Sequence, residues 1–335
     1  SSDLHMQIIL HKTEENVIPM LRDPGKNKPR RRSRFAEKTD TSPAPENSKA
    51  SGAGSDAAAG GNSQTDAKLS DERSGTEPGL TSANVEGMFR DSSDIVIRKL
   101  NINGRKDLPV TMVFVDGVVD TKSVDDYIMK PLIQESSLGE CGSTSEIIDR
   151  IAHGVIYHAS MEVRRTFSEC VHDIVDGSVA LIFDDDKTAV TFDIKGFPER
   201  SITEPTGENV IKGAKDSFVE NLRTNTASVR MKMKNPRLVI EEIKTGKQTA
   251  TKIAIVYIRG LTNMRIVDEL KRRLDNLETD SVLSTGIIEE AVIDHKMSPF
   301  PQVITTERPD KFCSTIVEGR VGIIIDGMPV SIVVP

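Results

Sequence analysis

Val113-Phe114-Val115-Asp116-Gly117 is answered 143 positions later by Val256-Tyr257-Ile258-Arg259-Gly260. At the same offset Ile95-Val96-Ile97 lands on Leu238-Val239-Ile240, and Val124-Asp125-Asp126 on Val267-Asp268-Glu269. Gly177-Ser178-Val179, running on to Ile182 and Asp184, is matched by Gly319-Arg320-Val321, running on to Ile324 and Asp326. A period this long is not that of a solenoid, whose repeats span roughly 20–50 residues. It means two copies of one compact unit, and so a two-lobed protein with a shared interface or cleft between the lobes.

The 335 residues fit about two domains. Apolar residues make up 37%, a low figure whose deficit lies in residues 22–84. That stretch is rich in Ser, Gly, Ala, Pro, Asp and Lys and is read as disordered, because it cannot bury enough surface to offset its ordering entropy. Basic and acidic residues balance over the first 90 positions, so the net charge of -7 belongs to the rest. A mildly acidic folded part argues against nucleic acid as a partner. Lys26, Lys28, Arg30, Arg31, Arg32 and Arg34 lie together in the tail. They read as a solubilising segment, as a contact for anionic lipid headgroups, or, least of the three, as a contact for nucleic acid.

Cys141, Cys170 and Cys313 form no Cys-x-x-Cys pair, as expected in a reducing compartment. No run of apolar residues is long enough to span a bilayer, and no secretory signal opens the chain. The apolar ending Val333-Val334-Pro335 suggests a fragment cut before something hydrophobic.

The apolar pattern predicts strands over 94–102 and 110–115, with a turn at Asn103-Gly104. It predicts a helix from Ser123 with Val124, Ile128, Leu132 and Ile133 on one face. A cap at Ser143-Thr144-Ser145-Glu146 opens a helix through Ile151. Val155–Tyr157 reads as a strand and 165–175 as a helix stopped by Gly177. A hairpin over 179–194 turns at Asp184-Asp185-Asp186-Lys187. In the second unit the expectation is a long amphipathic helix over 215–234, strands 238–244 and 252–258, and a helix over 263–277. A helix over 310–318 and a final hairpin turning at Asp326-Gly327 complete it. Strands alternating with helices predict layered α/β units with mixed sheets. The expected fold is therefore two tandem, internally duplicated α/β subdomains behind a disordered tail. The boundaries are 1–90 for the polar tail, with a short helix allowed at its end, 91–197 for the first subdomain, 198–214 for a linker, and 215–335 for the second.

Catalytic constellations are weak. Asp184-Asp185-Asp186 offers carboxylates to a cation, but the matching Asp326-Gly327 is a plain hairpin turn. Cys170, His172 and Asp173 suggest a nucleophile, yet helix positions two apart do not face each other and Phe312 replaces Cys170 in the second copy. His153 and His158 lack the spacing of zinc ligands. Phosphate loops, dinucleotide fingerprints and nucleophile elbows are absent from the sequence. No catalytic residue, metal or cofactor is expected, and the chain is read as a non-enzyme.

Two proline-framed segments depart from ordinary core and loop. The first holds Glu204, Pro205, Glu208, Lys212 and Gly213, leading into a helix with Asn225 and Arg230. The second holds Phe300, Pro301, Gln302, Thr306, Glu307, Arg308, Pro309 and Asp310. Rigid loops presenting Glu, Arg and Asp suit a junction between domains or subunits. They equally suit helix capping, with Thr306 as cap and Pro309 in the first turn.

With Glu318-Gly319-Arg320-Val321 and Asp326-Gly327-x-Pro329 through Pro335, these segments resemble the N-terminal soluble domain of the A subunit of GerA-type spore germinant receptors. The resemblance covers roughly residues 90–335. Lys212 stands where arginine is common and Ala214-Lys215 where Pro-Arg is usual, which weakens bidentate anion binding there. The resemblance implies a spore inner-membrane receptor with B and C subunits as partners; the unpaired cysteines and the basic tail, rather than the resemblance, suggest that this part faces the cytosol or spore core. It implies a signalling or assembly role in nutrient-triggered germination. Gly327, Pro329 and Pro335 would lie near the membrane, reached through a further C-terminal part. A homo-oligomer of A subunits is a second kind of partner. The alternative function is a small nutrient ligand bound in the cleft between the subdomains, clefts at domain interfaces being the usual ligand sites.

Overall fold

The computed structural model describes residues 77–156, 160–196, 208 and 214–335. The tail with its basic stretch, as well as Tyr157, His158, Glu204, Pro205, Lys212 and Gly213, lies outside the described residues. Of the stretch 22–84 only 77–84 is described, and there Leu80 is buried, as is Val85 just beyond it.

Helix α1 (Ser82–Met88) leads into strands β1 (Ile95–Asn101) and β2 (Pro109–Val115). Helix α2 spans 121–134 with a π turn at Asp125–Met129, followed by α3 (Ser136–Gly139) and α4 (Thr144–Arg150). Then come β3 (Met161–Arg164), α5 (Phe167–Val175), β4 (Ser178–Phe183) and β5 (Thr188–Asp193). The second copy repeats the order. Helix α6 (Leu222–Lys232) precedes β6 (Leu238–Thr245) and β7 (Thr251–Ile258), then α7 (Met264–Asp275) and α8 (Thr285–Val292). Strand β8 (Ile304–Thr306), α9 (Pro309–Val317), β9 (Val321–Ile325) and β10 (Ser331–Val334) close it.

The sheets have identical orders, β1-β2-β4-β5-β3 and β6-β7-β9-β10-β8, so the duplicated α/β architecture extends to topology. One detail needs correction: the sheets are antiparallel at every pairing, not mixed. Strands β3 and β4 do run parallel across the α5 crossover. Strand β5 fills the slot between them and pairs antiparallel with both. Helix–strand alternation reports the crossover but not the inserted strand.

Each sheet is covered on both faces. Helices α2 to α4 pack on one face of the first sheet through Val124, Ile128, Leu132 and Ile147. Helices α1 and α5 pack on the other through Val85, Phe89, Cys170 and Ile174. The second sheet carries α7 and α8 on one face and α6 and α9 on the other. The chain turns at matched glycines, with φ of 82° at Gly117 and 81° at Gly260, a left-handed conformation that glycine adopts without strain.

Three local expectations fail. The π turn adds a residue to the helical repeat and shifts its phase, so Ile133 is 46% exposed while Met129 and Leu132 face the sheet. Val155, expected to open a strand, instead ends a π turn over Ile151–Val155, where Gly154 takes φ 119°; Tyr157 lies outside the described residues, and the edge strand is β3. The helix expected from 215 begins only at Leu222. Upstream, Phe218 N–H donates to Glu307 O at 2.7 Å, and Glu220 O accepts from Gly327 N–H at 2.7 Å. These bonds hold the segment extended along the second lobe.

Candidate functional site

Helix α6 is the element that the two lobes share. A surface helix has a polar side, but here Leu222, Asn225, Thr226, Ala227, Ser228, Val229 and Arg230 are all buried. Val229 and Leu222 enter the second lobe's core, while Ala227 joins the first lobe's. Small side chains allow the close approach: a Cβ on Gly117 would lie 3.1 Å from Arg223 Cγ and 3.2 Å from Ala227 Cβ.

Arg230, 0% exposed, is the centre of the junction. Its Nε donates to Asp94 Oδ2 at 2.7 Å and its Nη2 to Asp94 Oδ1 at 2.9 Å, a two-pronged pair across the lobes. The remaining donors reach Leu238 O at 2.8 Å and Ser92 Oγ at 3.3 Å. The neighbouring segment is tied alongside: Ser93 N–H donates to Ile240 O at 2.8 Å, and Glu242 N–H to Ser93 Oγ at 2.9 Å. Arg259 donates to Met88 O and to Asp91 Oδ2, both at 2.8 Å. On the surface Arg223 pairs with Asp116. Thus Asp116 and Arg259, equivalent positions of opposite charge, each reach across to the other lobe, Asp116 at the first turn of α6 and Arg259 at the end of α1 and the segment after it.

Asn225 is also buried, and serves the entrance to α6. It accepts from Val219 N–H at 2.8 Å and donates to Val219 O at 2.6 Å, satisfying both backbone groups. A carboxylate in each lobe's terminal hairpin anchors the leading helix. Asp184 accepts from Ser82 N–H and Ser82 Oγ–H, both at 2.6 Å, and Asp326 accepts from Leu222 N–H at 3.1 Å. That explains the carboxylates at these turns without invoking a cation.

The second proline-framed segment divides. Thr306, Arg308 and Asp310 gather with Glu208 on the second lobe. Thr306 Oγ1 donates to Glu208 Oε2 at 3.0 Å and accepts from Arg308 N–H at 3.1 Å, while Lys311 Nζ lies 3.2 Å from Glu208 Oε1. Arg308 forks onto Asp310 at 3.1 and 2.5 Å, and its guanidinium holds the Asp310 carboxyl below the usual range. Pro309 occupies the first turn of α9. Phe300, Pro301 and Gln302 belong to a different wall. Gln302 accepts from Asp294 and His295 N–H at 3.1 and 3.2 Å and donates to His295 O at 2.7 Å, leaving Phe300 77% exposed. Gly327 and Pro329 lie in the turn before β10, and Pro335 follows that strand.

The Cys170 thiol is pushed by burial up to about 12, which suppresses the thiolate. Asp173 is held instead by Arg164, at 2.7 Å, and by Thr191 Oγ1. Among the described residues, crevices between α6 and the first lobe enclose about 220 and 140 Å³. A larger open cleft of about 700 Å³ lies on the second lobe, beside α7.

On α7, Glu269 accepts from Arg272 and Arg273 at 2.7–2.8 Å, and these bonds hold its carboxyl down at about 2. The ionised form is favoured in the folded state. The stability it lends is therefore complete above the ordinary glutamate pKa of about 4.3 and disappears as pH falls toward about 2. A carbon-detected titration of the Glu269 side chain should show a midpoint near 2; an ordinary midpoint would show that the pairs do not form in solution.

The chain matches the family model described as Bacillus/Clostridium GerA spore germination protein over residues 83–335. It is 29% identical over 244 residues to Spore germination protein KA of Bacillus subtilis (strain 168), covering 73% of this chain and 44% of that protein. It is 35% identical over 224 residues to Spore germination protein B1 of the same strain, covering 67% and 45%. It thus spans less than half the length of these curated relatives. The crystal structure of the N-terminal domain of the A subunit of the Bacillus megaterium spore germinant receptor GerK3 matches with a TM-score of 0.59 and 27% identity. That match covers 78% of this chain and 97% of the other. Among the described residues no helix is long and apolar enough to cross a membrane.

Proposed function

Because this chain belongs to the Bacillus/Clostridium GerA family of spore germination proteins, we propose that it is the extramembrane module of a germinant-receptor A subunit, and that it transmits a signal rather than catalyses a reaction. In this reading it works at the spore inner membrane, on the cytosolic side, with B and C subunits as its partners. The strip of Glu208, Glu307, Arg308 and Asp310, with the buried Thr306 holding Glu208 in place beneath it, is the surface it offers them. The observation that carries the reading is the buried Arg230–Asp94 pair across the two lobes. Such a pair tolerates little displacement, so motion imposed on one lobe is passed to the other rather than absorbed between them.

The surface part of the same junction allows a test without unfolding the core. Spores carrying Asp116→Arg in the full-length protein should respond to nutrient several-fold more slowly, with normal amounts of the protein. Adding Arg223→Asp should restore the response by reversing the pair. An unimpaired single variant, or a double variant no better than the single, contradicts the reading.

A further inference from the structure

The cavity of about 700 Å³ in the second lobe belongs to neither the junction nor the proline-framed strip. Ile266 and Leu270 of α7, Val292 of α8, Val303, and Val334 of β10 give it an apolar lining. Its walls are fixed. Arg273 donates to Val292 O at 2.7 Å and to Asp294 Oδ1 at 2.6 Å, and Gln302 holds the 294–302 loop by three hydrogen bonds. The space is a cleft open to solvent, with Arg265, Asp294 and Pro301 at exposed positions on its rim, and a volume of this size falls in the range of ligand pockets.

In the first lobe the equivalent space is filled by side chains. The position of Val334 in β10 is that of Phe192 in β5, the two hairpins being in register at an offset of 142. Phe192 is fully buried in the first lobe's core and is paired across strands with Met161, which packs on that core. The second lobe has Val334 there, and Val303 immediately before its edge strand. The chain has thus exchanged a phenylalanine and a methionine for two valines on this face of one copy alone.

Charge at the cavity has one sign to spare. Glu269 and Asp294 are taken up by Arg272 and Arg273, whereas Arg265 has no ion pair among the described residues. Arg320, which also lines the cavity, meets Glu318 at 3.3 Å, a long contact for a charge-assisted bond. We propose that this cavity binds a small anionic amphiphile, with an apolar body against Leu270, Val303 and Val334 and a carboxylate or phosphate head at Arg265 and Arg320. The site is distinct from the junction and does not rest on the transmitter reading.

Sodium octanoate, 1-octanol and octylammonium are the probes, titrated calorimetrically into the 335-residue chain. Octanoate should bind saturably, at least about tenfold more tightly than the alcohol or the cation. Arg265→Gln with Arg320→Gln should bring octanoate to the level of octanol. Val334→Phe should abolish binding without lowering the thermal midpoint, since it restores the filling used in the first lobe; should that variant fail to fold, Val303→Met serves the same purpose. Co-sedimentation with phosphatidylglycerol vesicles, present in the parent and lost in the filled variant, would identify a lipid as the source. Octanoate binding without vesicle binding would identify a soluble ligand. No saturable octanoate binding, equal binding of the alcohol, or full binding by the filled variant would overturn the proposal.

Discussion

Replacing Arg230 by alanine is expected to destabilise the chain by about 3–5 kcal/mol, the loss that follows when one partner of a buried ion pair is removed and the other stays behind. Asp94 is only 4% exposed and accepts two of the four hydrogen bonds that Arg230 donates. With the guanidinium gone, the carboxylate faces a cavity that holds no counter-charge, and Leu238 O loses a donor. The penalty comes mainly from the orphaned groups rather than from the attraction itself. Arg230→Met combined with Asp94→Leu should therefore recover most of the stability. Urea unfolding of the three variants at comparable slopes checks this. A double variant as unstable as Arg230→Ala would mean that the pair itself supplies net stability.

Phe312→Ala should cost about 3–5 kcal/mol, the usual loss for a buried phenylalanine that leaves a cavity. Phe312 is fully buried on the α6 side of the second sheet and meets Phe218 edge to face at 5.5 Å. It also explains a glycine inside a strand. A Cβ on Gly322 would fall 2.1 Å from Phe312 Cζ, so the ring takes the space a side chain would need. In the first lobe the equivalent positions are Cys170 and Ala180, a smaller residue on the helix facing a larger one on the strand. Gly322→Ala alone should cost about 1–3 kcal/mol by overpacking. Combined with Phe312→Leu it should cost less than the sum of the single changes, because the two positions share one space. Thermal unfolding of the set decides it, and strict additivity would show that the ring can move aside.

The hairpins and their glycine turns were legible because they occur twice. Where one copy is ambiguous, as at Asp184-Asp185-Asp186, the other shows a bare turn at Asp326-Gly327. The duplication did not reveal what joins the copies. Asn225 and Arg230 read as polar motif residues suited to a junction, and nothing in their residue type predicts that they are buried. The missed signal lies in the helix itself: Thr226, Ala227 and Ser228 are small, and they adjoin Val229, which argues against a solvent-facing side. Strand β3 is hard to read in the sequence because Met161–Arg164 alternates apolar and charged residues over only four positions, the shortest run that carries a strand signal. The cavity was invisible for a different reason. Val303 and Val334 are ordinary strand residues, and only the register of β10 against β5 shows which larger side chains they stand in for.

Native-state hydrogen exchange at central amides of the two sheets, Val113 in β2 and Ile255 in β7, tests most directly whether the lobes behave as one body. The account predicts that both amides exchange through the same global opening, with matching free energies, and that both lose protection together in Arg230→Ala. Exchange of Ile255 through a separate, lower-energy opening while Val113 stays protected would contradict it, since two lobes that unfold independently have no rigid junction through which to pass a signal.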